Sequence, residues 1–349
     1  MSVTKPLQST QIRLIKRPFG EPQDSDFDTV VVDLPDLEDG QVLLRTIYLS
    51  LDPYMRGRMS DAKSYAEPQP LGEVMLGATV CEVVESRSEK RKVGDLVLAF
   101  TGWQTHAIVD GRAMRSLDPS AAPISTALGV LGMPGFTAYG GLLAIGQPKP
   151  GETVAVAAAT GPVGSAVGQI AKMKGARAVG IAGGPEKCRI LREEFGFDAV
   201  VDHRSPTFGD ELKAATPDGV DVYFENVGGS VGSAVMRRMN RFGRVPVCGL
   251  VADYNATEAP PGPDQQPAYV RRILTLSLTV RGFIQDEFIP THQDDFLREM
   301  SGWIADGSVR YREDVVEGLE NTTEAFRGLL TGRNVGKLLI QVGADPTKG

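Results

Sequence analysis

Cysteine, histidine and long apolar runs are all scarce in this chain. Only three cysteines (Cys81, Cys188 and Cys248) and three histidines occur among 349 residues, and no two cysteines form a CxxC pair. Widely spaced cysteines build no disulfide framework, which fits a reducing compartment and a cytoplasmic protein. A structural zinc site needs Cys or His at close spacing, so no metal is expected; Cys81 and His106 sit in strand-like runs and read as core or edge residues. No apolar run reaches the length of a membrane span, and the nearest, residues 124–145, is interrupted by glycines and Pro134. The N-terminal MSVTKPLQ has no apolar stretch of the secretory kind. Positive charge is short as well. A net charge of −7 argues against a nucleic-acid partner, and the basic run at 87–92 contains a glutamate and reads as a solvated turn.

A length of 349 residues exceeds one ordinary core and predicts two domains. The first 125 residues alternate short apolar runs with Gly and Pro turns, with strands expected at 29–34, 41–50, 78–85, 96–100 and 105–109. Beyond Ser125 the pattern turns helical at 127–131 and 136–143. Strands at 153–159, 177–182, 199–202, 220–224, 243–248 and 278–283 then alternate with helices near 163–174, 186–195, 207–215 and 230–239. That alternation is an α/β reading: a mostly β domain plus a doubly wound parallel sheet. Thr291–His–Gln–Asp294 resembles a capping box, and Phe296, Met300 and Ile304 follow on one helix face. A second helix start lies at 321–324. The last strand, 337–342, is expected to return to the first domain, giving 1–125 with 299–349 around 126–298. The proline-rich stretch 259–267 reads as a mobile loop or lid.

The most informative stretch is Thr153–Val–Ala–Val–Ala–Ala–Ala–Thr–Gly–Pro–Val–Gly164 with the strand that follows its helix. Strand, glycine turn, helix and strand form the βαβ unit that binds a dinucleotide pyrophosphate at a helix N-terminus. Ala159 replaces the first glycine of GxGxxG, while Gly161 supplies the one that admits the pyrophosphate; the plain alternative is a strand–turn–helix packing corner. About twenty residues on, where an NAD site places an acid for the ribose 2′-hydroxyl, the chain reads Ile181–Ala–Gly–Gly184 with Lys187 beyond. A 2′-phosphate, and so NADPH, fits that gap. Lys187 is either its ligand or a solvated first-turn lysine beside Glu186. His203 and Arg204 either add charge at this corner or belong to a solvated loop. Tyr254, after a strand end where ligands bind in open α/β sheets, can donate to a developing oxyanion, or simply packs in its loop.

Taken together with Leu49–Ser–Leu–Asp–Pro–Tyr–Met–Arg56, Gly132–Met–Pro–Gly–Phe–Thr–Ala–Tyr139, Phe224–Glu–Asn–Val–Gly–Gly229, Cys248–Gly–Leu–Val–Ala–Asp–Tyr–Asn255 and Asn334–Val–Gly–Lys337, these residues carry a resemblance over nearly the whole chain. It resembles a zinc-free medium-chain dehydrogenase/reductase of the prostaglandin reductase group, whose bacterial members include NADPH-dependent curcumin reductases. The resemblance implies a GroES-like catalytic domain and a Rossmann domain. It also implies an oxidoreductase acting on CH–CH donors, reducing the C=C bond of α,β-unsaturated ketones and aldehydes with NADPH. Tyr254 would then lie by the enolate oxygen and Tyr54 would line the substrate cleft. Thr137, Asn226, Phe283 and Asn334 would lie near the nicotinamide, with Gly161, Val163, Gly164, Gly183, Lys187, His203 and Arg204 completing the cofactor set. Where prostaglandin-type members carry a tyrosine, this chain has His203, and Gly183–Gly184 resembles the bacterial branch. A homodimer is the family expectation, and the edge strand near 278–283 would need cover. A quinone oxidoreductase of the same superfamily and a non-catalytic NADPH-binding protein are the alternatives.

Overall fold

In the second half of the chain the apolar runs assemble into a six-stranded parallel sheet in the computed structural model, which describes residues 7–259 and 263–348. From one edge, the sheet runs Ala199–Asp202, Arg177–Ala182, Thr153–Ala157, Val220–Phe224, Met239–Val247 and Thr279–Gly282. Numbered along the chain, this is the order 3-2-1-4-5-6 of a doubly wound dinucleotide fold. Thr153–Ala157 is buried throughout because helices cover both faces, which explains why it reads as a continuous apolar run. The helix Pro162–Met173 starts on a proline whose fixed φ suits the first turn, and it buries Val167, Ile170 and Ala171. Gly168 stands where any Cβ would enter the ring of Phe197, and Gly180 of the strand Arg177–Ala182 makes room for the same ring.

Two units divide the chain. One comprises Met1–Leu128, Glu313–Asn334 and Leu338–Gly349; the other comprises Gly129–Arg312 and Val335–Lys337. The first unit carries an antiparallel sheet centred on Gln41–Ser50, which pairs with Thr79–Ser86, His106–Asp110 and the C-terminal strand Lys337–Gln341, Leu339 standing opposite Ser50. A separate hairpin joins Gln8–Leu14 to Phe27–Asp33. Its core holds Trp103, stacked on Phe27 and edge-on to Phe326, each at 5.6 Å between ring centroids.

Three expectations need correction. The capping-box start at Thr291 is three residues late: the N-cap is Phe288 and the helix runs Ile289–Ala305, with Pro290 in its first turn and no side-chain cap. A proline there has no N–H to satisfy, so it removes one of the donors a cap would serve. The Thr291 hydroxyl instead shares a hydrogen bond with His292 Nδ1 at 2.7 Å. The helix expected at 127–131 is only a short 3₁₀ turn, Ile124–Leu128, and the regular helix is Met133–Gly140, continued as a π turn over Gly141–Gly146. Gly135 packs against the Val130 carbonyl, where a Cβ would overlap it, so the chain turns sharply there. The return to the first unit falls after Arg312 rather than at 299. Phe296 and Met300 explain this, because they bury in the core beneath Phe136 and Tyr139 of the second unit. The stretch read as a lid, 259–267, lies outside the described residues at 260–262.

Two glycines test this packing. Gly168→Ala, which drives a methyl into the Phe197 ring, should destabilise by about 1–3 kcal/mol in urea unfolding. Gly302→Ala, in the last turn of the helix Ile289–Ala305 with nothing within 4 Å of its Cβ position, should stabilise by up to about 1 kcal/mol. Equal effects at the two sites would contradict the packing described.

Candidate functional site

The C-terminal ends of the parallel strands gather most of the candidate residues. At the end of Thr153–Ala157 the chain makes a strained turn in which Ala158 takes a left-handed φ of 50°. Gly161 then caps the helix Pro162–Met173 in extended conformation, with φ −70° and ψ 167°. Among the described residues Ala158 O, at 3.3 Å, is the one atom within 4 Å of its Cβ position, so the helix mouth is little crowded there. Gly164 differs. A Cβ there would lie 2.6 Å from Ala158 O and 2.7 Å from Ala159 Cα, so this glycine serves helix–strand packing. The first intrahelical bond runs from Ser165 N–H to Gly161 O, which turns the N–H groups of Val163 and Gly164 to the helix mouth, the donors a phosphate takes.

A second cluster forms beside Gly183. A Cβ on this glycine would stand 2.8 Å from both His203 Nε2 and Arg204 Nε. Lys187, half-buried in the first turns of the helix Pro185–Glu193, is close enough for its charge to act on His203. Partial burial of the ring and then the Arg204 charge hold His203 below the ordinary histidine range. Glu186 does not neutralise the corner, since it pairs with Arg189 at 2.7 Å. The Asp202 carboxylate offsets part of the charge at His203, and its Oδ1 accepts the backbone N–H groups of Gly184 and Arg204 at 2.8 and 2.9 Å. Burial alone would raise this carboxyl, but those donors outweigh it and hold it below the usual range.

A third cluster is built around an acid that the sequence reading passed over. Glu225 is 6% exposed, and its Oε1 accepts the Tyr223 hydroxyl at 2.8 Å and the N–H groups of Val227 and Gly228 at 2.8 and 2.9 Å. Burial pushes its carboxyl above the usual range despite these donors. Its neighbour Asn226 donates from Nδ2 to Ala157 O at 2.9 Å and so fastens this loop to the glycine turn. The 3₁₀ turn Val251–Asp253 hangs from the same loop through Val251 N–H to Asn226 O and Ala252 N–H to Val227 O. Tyr254 follows that turn, half-buried, with its hydroxyl 3.3 Å from the Cβ position of Gly249. Burial, with the Glu225 charge adding to it, pushes the Cys248 thiol up to about 12, so it stays protonated near neutrality.

The remaining candidates are placed differently. The Thr137 hydroxyl donates to Met133 O at 2.7 Å and is left as an acceptor. The Phe283 ring belongs to the core, packed on Phe224 and Phe288 at 6.1 and 5.5 Å and against Gly141. Tyr54 lies in the first unit, where burial, and next the Asp52 carboxylate, push its phenol above the usual range. Asn334 ends a segment of that unit. Just beyond it, Gly336 N–H donates to Thr160 O in the glycine turn at 3.1 Å. Gly336 has φ 84° and no room for a Cβ beside Arg312 O, a pairing that no local sequence signal announces. Among the described residues, no group of three or more His, Cys, Asp or Glu side chains could hold a metal, and no helix is long and apolar enough to cross a membrane.

These features fit a dinucleotide with a 2′-phosphate: a glycine at the turn, donors at a helix mouth, and a corner that brings His203 and Arg204 together over Gly183. Residues 10–117 match the family described as the N-terminal domain of oxidoreductase, and residues 162–301 match that described as zinc-binding dehydrogenase. The chain is 51% identical over 332 residues to an NADPH-dependent curcumin reductase of Escherichia coli (strain K12), covering 95% of this chain and 96% of that one. It is 44% identical to prostaglandin reductase 1 of Oryctolagus cuniculus over 93% of this chain and 90% of the other. The crystal structure of CurA in complex with NADPH from Vibrio vulnificus superposes with a TM-score of 0.92 at 50% identity, covering 96% of this chain and all of that one (100%).

Glu225→Ala would leave the Val227 and Gly228 N–H groups and the buried Tyr223 hydroxyl without this acceptor. It should cost roughly 3 kcal/mol or more in urea unfolding. A loss below about 1 kcal/mol would mean that the loop does not depend on this carboxylate.

Proposed function

The chain belongs to the medium-chain dehydrogenase/reductase family, and from that premise we propose that it reduces the C=C bond of α,β-unsaturated ketones and aldehydes with NADPH, without a metal. The observation that carries the cofactor reading is the gathering of His203 and Arg204 over Gly183, with Lys187 near enough for its charge to act on His203, at the position where an NAD site needs an acid. The two reductases named above support the reaction class. The chemistry that the cofactor supplies is hydride for the β-carbon of the enone.

The protein's own residues do the rest. Gly161 leaves room for the pyrophosphate, and the N–H groups of Val163 and Gly164 hold it. Lys187, with His203 and Arg204, binds the 2′-phosphate. Thr137, Asn226, Phe283 and Asn334 position the nicotinamide end. As the C=C electron pair moves toward the carbonyl, the Tyr254 hydroxyl donates to the oxygen that gains charge, and the α-carbon takes its proton from solvent. The first unit acts as the catalytic domain, with Tyr54 lining the substrate cleft. The enzyme works in the cytoplasm as a homodimer. Its partner surface includes the edge strand Thr279–Gly282 and the neighbouring helix Gln266–Leu276, where Val270 is 54% and Leu274 78% exposed. Sedimentation equilibrium should give twice the chain mass.

Lys187→Ala should raise KM for NADPH and leave KM for NADH nearly unchanged; equal loss with both would remove the phosphate role. Tyr254→Phe should lower kcat roughly ten- to a thousand-fold, the range for losing an oxyanion donor. Unchanged turnover would move that role to another donor. A side-by-side assay on cyclic enones, alkenals and quinones decides the reaction, because quinone reduction without enone reduction would favour the quinone oxidoreductase alternative.

A further inference from the structure

The corner at Gly183 holds two permanent cations and one group that can change its charge. Asp202 builds it. By accepting from Gly184 N–H and Arg204 N–H, its carboxylate folds residues 203–204 back over 183–184, while His203 N–H donates to Ala182 O at 3.0 Å. The imidazole is thereby laid beside Gly183 with Nε2 inward and its other side open to solvent. Gly184, at φ 95°, adds further room, with Arg204 Nη1 3.9 Å from its Cβ position. The charged groups that bear on the ring are Arg204 and Asp202 from its own loop and Lys187 from the helix Pro185–Glu193. Glu211 of the following helix is occupied by the hydroxyls of Ser205 and Thr207, at 2.5 and 2.7 Å.

The field at this ring has a definite sign. Partial burial, then the Arg204 charge and in smaller part that of Lys187, disfavour protonation more than the Asp202 carboxylate favours it, so the imidazole is held neutral near pH 7. A 2′-phosphate dianion beside it reverses that sign, because an opposite charge within a few ångströms favours the protonated ring. A cofactor lacking the phosphate brings no such charge to this corner.

We propose that His203 couples 2′-phosphate binding to proton uptake: a proton from the buffer adds to the neutral imidazole as the phosphate settles, and preference for the phosphorylated cofactor rises as pH falls. This rests on the NADPH reading above and adds a pH dependence to it. The sign follows from linkage, since a ligand that binds the protonated form more tightly is favoured wherever protons are more abundant. The Gly183–Gly184 pair contributes the space in which the imidazole and the guanidinium both reach one phosphate.

Binding calorimetry on the full chain tests this with NADP+ and NAD+, which differ only in the 2′-phosphate. It is run in two buffers of unlike ionisation heat between pH 7 and 8.5, where the phosphate (second pKa about 6) is already a dianion. The wild type should take up a fraction of a proton with NADP+ and none with NAD+, and its NADP+ affinity should fall roughly three- to tenfold from pH 7 to 8. His203→Gln and His203→Tyr should abolish both the uptake and the slope while NAD+ binding stays the same. Uptake that persists in both variants, or is absent from the wild type, overturns the proposal. If NADP+ binds more tightly than NAD+ without any pH dependence, the cofactor reading stands and only this inference fails. If NADP+ binds no tighter at any pH, the cofactor reading itself fails.

Discussion

A buried carboxylate, Glu225, sets the geometry on which the ligand-facing edge of the parallel sheet depends. A charge taken out of water costs several kcal/mol unless hydrogen bonds replace its hydration. Here the Tyr223 hydroxyl and two backbone N–H groups supply the replacement, and Gly232 leaves space for the second carboxylate oxygen. The backbone carbonyl of the same residue accepts from Cys248 N–H and Gly249 N–H. One residue thus ties the fourth strand, the start of the next helix and the end of the fifth strand together. The turn carrying Tyr254 hangs from the same loop, so the position of that phenol follows from how Glu225 is satisfied.

Asp202 obeys the same logic one sheet edge away. It lies at the end of the third strand, and its carboxylate is spent on backbone N–H groups rather than offered to a ligand. The two acids at the ligand-facing edge therefore act as clamps on the main chain. What remains to face a ligand near Gly183 is positive or titratable. An acid that bonded a ribose would select an unphosphorylated cofactor; here the acid bonds its own backbone, and its charge only partly offsets that of Arg204 at the His203 ring.

Much of this was legible in the sequence. The six parallel strands were readable because each is a short apolar run bounded by turn residues, and a strand buried on both faces has nothing polar to confuse the pattern. The glycine turn and the missing acid at 183–184 are local features that need no tertiary knowledge. The start of the helix at Ile289 was misread because Pro290 in the first turn takes over what a capping side chain would do. Glu225 was passed over although a lone acid directly after an apolar strand, followed by two glycines, is a signal of a buried capping carboxylate. The contacts of the Phe283 ring with Phe224 and Phe288 were not legible, since packing brings these rings together.

The sequence by itself determined the family, the fold class, the parallel sheet and the preference for a phosphorylated cofactor, because these are written in periodicity, turn residues and motifs a few residues long. The tertiary structure alone decided which groups meet. Gly183, His203 and Arg204 converge because neighbouring parallel strands end side by side and Asp202 folds one loop over the other. Gly336 meets Thr160 because the chain returns to the glycine turn after a long excursion. Contacts of that kind depend on strand order and on where buried acids find their donors, and neither is recorded in residues adjacent along the chain.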